Sequence, residues 1–247
     1  MTETGHTRSL WAWAVALAAL AFAAAPFLAE PFTGYTGDQL PVPQPDPILQ
    51  PPGWAFSIWG VIYLWLLSGS LYGALRARDR KTWEAMRPPL LMALLIGTAW
   101  LSIANASAIW GTITLFLMAA AAITALVRTT NDDWGWQAGP VGLFAGWLTA
   151  ASGVSLAVTL PGFEVMEARP AGLMALAAVI AVAVAVSAAR PQVWTYAIGA
   201  GWALFGICLT AVEHAETPIL ILAALGLCIV AATVVRGLLK TRAPVKP

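Results

Sequence analysis

Three aromatic residues near position 60 have the types and spacing to bind a flat, apolar molecule. Phe56, Trp59 and Tyr63 follow a Pro-Pro-Gly break at residues 51–53, and on a helix they would share one face. Aromatic ring faces can stack on a conjugated ligand. The same residue types also form the aromatic belt at a membrane–water boundary, so a purely interfacial role stays open.

The two interpretations differ in where the indole rings point. If Trp54, Trp59 and Trp147 converge inside the protein beneath residues 30–52, they support ligand binding. If the same rings point into lipid, they support the belt.

Side chains for conventional catalysis are missing from the apolar segments of the chain. None of these segments contains a lysine, which excludes a retinal Schiff base, and none carries an acidic group or arginine near its middle, which argues against an ion-driven transporter. His214 has two glutamates beside it but no second histidine near it in the sequence, so the sequence does not predict a metal site there. Cys208 and Cys228 lie in apolar runs and are predicted to be packing residues. We therefore predict no catalytic residues and no metal site, and the sequence leaves open whether the protein has an enzymatic activity.

The elements that must position the rings are transmembrane helices. The 247 residues are 60% hydrophobic and 10% charged, with a mean hydropathy of +0.76, which predicts an all-α, polytopic transmembrane helical bundle in a lipid bilayer. Eight apolar runs have the length of a span, and short connections predict that consecutive helices are antiparallel neighbours; the runs are 10–29, 54–75, 88–106, 108–127, 138–160, 170–189, 192–212 and 217–238. The net charge of +1 does not suggest a nucleic-acid partner.

The distribution of basic residues predicts the orientation of these spans. With eight spans and both termini in the cytoplasm, 12 of the 13 Lys and Arg residues lie on the cytoplasmic side, including those at positions 76–87. Only Arg169 lies outside. The first run also resembles a signal peptide, but Pro26 disfavours cleavage at that point, and we predict that the run is a span.

The pattern Pro51-Pro52-x-Trp54-x-Phe56, followed by Trp59 and Tyr63, resembles the second-helix signature of the TspO/MBR family, the tryptophan-rich sensory proteins and translocator proteins. The resemblance implies a five-helix unit over residues 1–160. It is similar to the longer bacterial branch, in which residues 161–247 would add three helices and a basic tail, and it implies a bacterial cell membrane.

The resemblance also implies a ligand and a site. The ligand would be a tetrapyrrole such as protoporphyrin or haem, or a sterol-like lipid, with no certain cofactor besides. One wall would be formed by second-helix rings, the other by the tryptophans of the third and fifth helices, and two polar residues would orient the ligand; the residues are Trp54, Phe56, Trp59, Tyr63, Trp100, Trp147, Asn105 and Ser155. The chain departs from the family at Gly97, where the third helix usually carries Asn, and at Ser155, where the fifth usually carries Asn.

Several alternatives remain open at this stage. A passive transporter or channel for a small apolar molecule, and a structural membrane protein without a ligand, fit the same composition. The loop at 30–52 is rich in proline and is either a lid over the site or a stiff connector. Asn105 belongs either to a turn ending at Ser107 or to the ligand site. Gly142-x3-Gly146 allows close helix approach, either within the chain or in a homodimer.

Overall fold

The computed structural model describes residues 3–242, with side chains for residues 8–240. The predicted tail beyond residue 242, including Lys246, and the side chain of His6 lie outside this part. The described residues form eight α-helices, all long and apolar enough to cross a membrane. They are α1 Glu3–Leu28, α2 Ile58–Leu75, α3 Arg87–Ala106, α4 Ala108–Val127, α5 Ala138–Gly162, α6 Ala168–Ala189, α7 Trp194–Glu213 and α8 Thr217–Arg242. The predicted fold class and the eight spans are thus confirmed.

Local sequence accounts for the helix boundaries that shape the site. Ser107 alone separates α3 from α4; its backbone is extended and its hydroxyl accepts a hydrogen bond from the Trp110 amide, so it acts as the N-cap of α4. The predicted turn lies at this point. Pro51 and Pro52 prevent α2 from starting earlier, and a short 3₁₀ helix at Gly53–Ser57 leads into it.

The central element of the bundle is α5, which packs along α4, α6 and α7. The expectation that consecutive helices pack together holds for α5 with α4 and α6, but not for α2 with α3. The most extensive partner of α5 is α7, which lies two helices further along the chain and runs in the same direction. The reason is a close backbone approach: Cβ atoms added at Gly142 and Gly146 would collide with residues 193–196 of α7. The small-residue pattern of α5 therefore serves packing within the chain.

Two ends of the bundle are distinguished by their loops. We call the end with residues 30–52 the loop end and the end with residues 76–87 the basic end. At the basic end, the fully buried Arg87 donates to the carbonyl oxygens of Ala77 and Arg78, both at 2.9 Å, and to two further carbonyls. Its guanidinium thus satisfies backbone groups that follow the C-terminus of α2.

The 30–52 loop is tied to the loop end at several points. The Val42 amide donates to the Gly162 carbonyl at 3.0 Å, and the Gln39 side chain donates to the Ala104 carbonyl at 3.0 Å. Leu40 is buried and occupies the space beside Gly162. The loop therefore covers the ends of α3 and α5 as an ordered part of the fold.

The chain then descends into the bundle along α7. Residues 50–57, called the descending segment below, follow one face of α7: Thr210 donates to the Gln50 carbonyl, Pro51 fits against Gly206, and Trp202 donates to the Ala55 carbonyl. These three α7 residues are four positions apart. Trp202 is 11 residues before Glu213, so at 1.5 Å per residue Ala55 lies roughly 16 Å below the loop end of α7.

Candidate functional site

Two of the proposed second-helix rings form part of an aromatic cluster between α1, α2 and α5. Trp59 and Tyr63 are stacked, with centroids 5.3 Å apart and an interplanar angle of 19°. Phe22 of α1 packs on Tyr63 at 4.9 Å and on Trp59 at 6.0 Å, both edge-on. From α5, Phe144 and Trp147 approach Trp59 at 6.4 and 6.2 Å. Thus Trp59 and Trp147 converge inside the protein.

The indole nitrogen of Trp147 is the main unsatisfied group in this cluster. Trp147 is 2% exposed, and its Nε1 has no hydrogen-bond partner. Phe56, which is 40% exposed, packs edge-on against it with centroids 5.7 Å apart. A buried donor without an acceptor costs about 1–3 kcal/mol. The Trp147 N–H can therefore donate a hydrogen bond to one acceptor atom that the protein itself does not supply.

Beside these rings the surface of α2 is open. A Cβ added at Gly60 would meet no atom within 4 Å beyond its own stretch of helix; Gly60 stands one turn after Phe56 and next to the half-buried Trp59. A planar molecule can lie against this part of the helix without displacing backbone.

Trp54 does not join the cluster. Its ring is 46% exposed and packs edge-on against Trp202 of α7 at 5.2 Å and beside Phe205 at 6.3 Å. It belongs to a second aromatic group between the descending segment and α7. Five other tryptophans are exposed over more than a third of their surface, as expected of an aromatic belt: Trp11, Trp13, Trp110, Trp136 and Trp194.

Trp100 lies under the 30–52 loop and away from the α2 rings. Phe32 of the loop packs edge-on against it at 5.1 Å, and its indole nitrogen donates to the Gly111 carbonyl at 2.9 Å. Its donor is therefore already used within the protein.

Ser155 belongs to a cluster of hydroxyl groups beneath the same loop. Its hydroxyl is 2.8 Å from that of Tyr35 and 2.7 Å from that of Thr112, and Thr112 is also 2.7 Å from the hydroxyl of Thr159. This network joins the loop to α4 and α5. The hydrogen bond with Ser155 thus orients Tyr35 of the loop.

Asn105 lies at the exposed turn between α3 and α4. The side-chain amide of Asn105 donates to the Glu30 carbonyl at 3.0 Å. The backbone carbonyl of Asn105 accepts from the Gln39 side chain at 2.7 Å. Both contacts attach the start of the 30–52 loop to the turn. The structure thus places Asn105 away from the aromatic cluster.

Charge is concentrated at the basic end, outside the aromatic cluster. The Asp133 carboxylate accepts hydrogen bonds from Arg80 at 2.6 Å, Trp83 at 2.8 Å and Tyr72 at 3.3 Å. Burial raises the pKa of Asp133, but the hydrogen bonds from Trp83 and Arg80, with the charge of Arg80, outweigh it and hold the pKa below its usual value. Within residues 8–240, no group of three or more His, Cys, Asp or Glu side chains is arranged to hold a metal ion.

Several residues of the site region were missed at the sequence level, among them Phe22, Tyr35 and Trp202. Phe22 is 3% exposed and fills the space beside Gly97, where an added Cβ would lie 2.5 Å from its ring. Tyr35 and Trp202 connect the loop and the descending segment to the helices. Only Trp202 had a local signal, because it follows the Gly199-x-Gly201 pattern of small residues in α7.

Comparison with known proteins gives one match. The model of a family described as TSPO-like protein matches residues 9–236, from the first helix to the eighth. Neither the curated proteins nor the solved structures gave a match to this chain.

Proposed function

The chain belongs to the TSPO-like protein family, and from this membership we propose that it is a membrane sensor or binding protein for a flat, hydrophobic ligand. The ligand class is a tetrapyrrole such as protoporphyrin or haem, or a sterol-like lipid. The concentration of basic residues at one end supports an orientation with that end and both termini in the cytoplasm.

The observation that carries the proposal is the buried, unpartnered indole N–H of Trp147. Most buried donors in proteins are paired, and at an unpaired one among aromatic rings a ligand acceptor can gain a hydrogen bond without competing with a protein acceptor. A tetrapyrrole or a sterol-like lipid carries oxygen or nitrogen acceptors on an apolar body.

The surrounding rings support a planar ligand. Phe56 and Trp59 are partly exposed, and the backbone at Gly60 is open next to them. Stacking on such faces adds about 0.5–1.5 kcal/mol per ring pair beyond area burial. Because Phe56 packs edge-on against Trp147, the position of its ring shapes the wall beside the indole N–H.

The test is a titration of the purified protein in lipid nanodiscs with protoporphyrin IX, followed by tryptophan quenching and by the porphyrin absorption band. The variants are Trp147→Phe, which keeps a ring but removes the donor, and Trp59→Ala, which removes part of the wall. Trp134→Phe is the matched control, because the Trp134 indole donates to the Gln192 carbonyl at 3.0 Å near the basic end.

We expect saturable binding that weakens about tenfold in each site variant, equivalent to about 1.4 kcal/mol, and is unchanged in the control. A parallel titration with a fluorescent sterol separates the two ligand classes. Quenching that never saturates, or that is the same in all four proteins, would refute the proposal for this site.

A further inference from the structure

Helix α7 holds the wall of the proposed site from the side of the descending segment. The Trp202 indole donates to the Ala55 carbonyl at 2.8 Å, one residue before Phe56, and the Thr210 hydroxyl donates to the Gln50 carbonyl at 2.9 Å. The Trp54 ring packs edge-on against Trp202. Two side chains of α7 therefore set the position of the backbone that carries Phe56.

The same helix also contacts the backbone at Trp147. A Cβ added at Gly199 of α7 would lie 2.8 Å from the Trp147 amide nitrogen, so the two helices meet there with almost no side chain between them. One turn away, the Tyr196 hydroxyl is 3.0 Å from the hydroxyl of Thr149, and both residues are buried. Thus α7 touches both Trp147 and the segment bearing Phe56.

The depth of these contacts makes the hydrogen bonds important. Ala55 lies roughly 16 Å below the loop end of α7, where water does not replace a lost partner. Ala55 lies in the 3₁₀ helix Gly53–Ser57 and its carbonyl also accepts from the Ile58 amide, so the Trp202 indole is a second donor, the one that links this carbonyl to α7. In the described residues, the indole of Trp202 is the side-chain donor to the Ala55 carbonyl.

We infer that α7 positions the ligand wall and that Trp202 is a positioning residue for the site: through its hydrogen bond to Ala55 it fixes the descending segment so that Phe56 stands against Trp147. This inference rests on the proposed function. It assigns to a helix outside the predicted five-helix unit a supporting part in ligand binding, through the position of Phe56.

The experiment compares Trp202→Phe with the Trp134→Phe control. Both variants keep an aromatic ring and lose one indole hydrogen bond to a backbone carbonyl, near the site in the first case and near the basic end in the second. Protoporphyrin IX affinity is measured in nanodiscs. Amide hydrogen exchange of residues 53–57 is measured on the same proteins without ligand, because its rate reports how firmly this backbone is held.

We expect Trp202→Phe to increase exchange at residues 53–57 at least fivefold and to weaken porphyrin binding at least fivefold, with both values unchanged in Trp134→Phe. Unchanged exchange in Trp202→Phe would overturn the inference, as would faster exchange with unchanged affinity. If the wild-type protein does not bind the porphyrin, the proposed function fails and the inference fails with it, whereas binding by the wild type that is indifferent to Trp202→Phe refutes the inference alone.

Discussion

The contact between Phe22 and Gly97 gives the sharpest test of how the aromatic cluster is built. The Phe22 ring occupies the space that a side chain at position 97 would take, since an added Cβ would lie 2.5 Å from the ring and 3.0 Å from the sulfur of Met118. The ring also supports Tyr63 and Phe144 at 4.9 and 5.5 Å. Replacing Phe22 with Ala should therefore leave a cavity beside the cluster.

The size of the effect follows from the lost volume. A phenyl ring occupies roughly 100 Å³, and at about 24 cal/mol per Å³ of residual cavity the expected loss is about 2.4 kcal/mol of unfolding free energy. In a bilayer this packing term dominates, because lipid is as apolar as the helix interface and the transfer term is small. Gly97→Leu alone should cost about 1–3 kcal/mol through overpacking.

The double variant carries the decisive information. Leu at position 97 adds about the volume that Phe22→Ala removes, so the double variant should be more stable than the sum of the single effects by at least about 1.5 kcal/mol. The assay is unfolding by SDS titration in mixed micelles, followed by helical circular dichroism. Additive single and double effects would refute the contact between Phe22 and the Gly97 site.

Three further predictions concern the site and its support. Gly60→Leu should leave stability unchanged or raise it by up to about 1 kcal/mol, because its side chain meets open space and Gly is a poor helix former; in a porphyrin titration it should weaken binding about tenfold by occupying that space. Gly146→Ala should lose about 1–3 kcal/mol in SDS titration, because its methyl group would collide with the Tyr196 carbonyl, and Gly60→Ala is the control that should lose nothing. The lowered pKa of Asp133 means that its ion pair with Arg80 stabilises the fold above about pH 4. This contribution is lost as the pH falls through the folded-state pKa of Asp133. The melting temperature of Asp133→Asn should therefore vary less than that of the wild type between about pH 3 and 5.

Part of the candidate site could be predicted from the sequence because it depends on helical periodicity alone. The spacing of Trp59 and Tyr63 places their rings together on α2, and the structure has them stacked. Trp147 meets them from α5, a meeting that the family resemblance implied and that spacing within one helix cannot express. The predictions that Trp54, Phe56, Trp59, Tyr63, Trp100, Asn105, Trp147 and Ser155 contact a ligand await the binding experiments.

What the sequence by itself determined is the set of eight spans and their turns. Apolar length, proline breaks and the Ser107 cap are local properties, and a bilayer leaves an apolar segment of about 20 residues little choice but a helix. Such signals need no knowledge of the partner helix.

Only the tertiary structure decided which helices meet and what occupies the space between them. The sequence shows only that Gly97 departs from the family pattern. The structure gives a reason, because the ring of Phe22, 75 positions earlier in the chain, occupies the space that a side chain at position 97 would need. Likewise, the Trp202 indole reaches the Ala55 carbonyl across 147 positions of sequence. Lipid is as apolar as the helix surfaces, so the sequence pattern does not mark which face of a helix meets another helix. The pairing is decided by shape and by single hydrogen bonds.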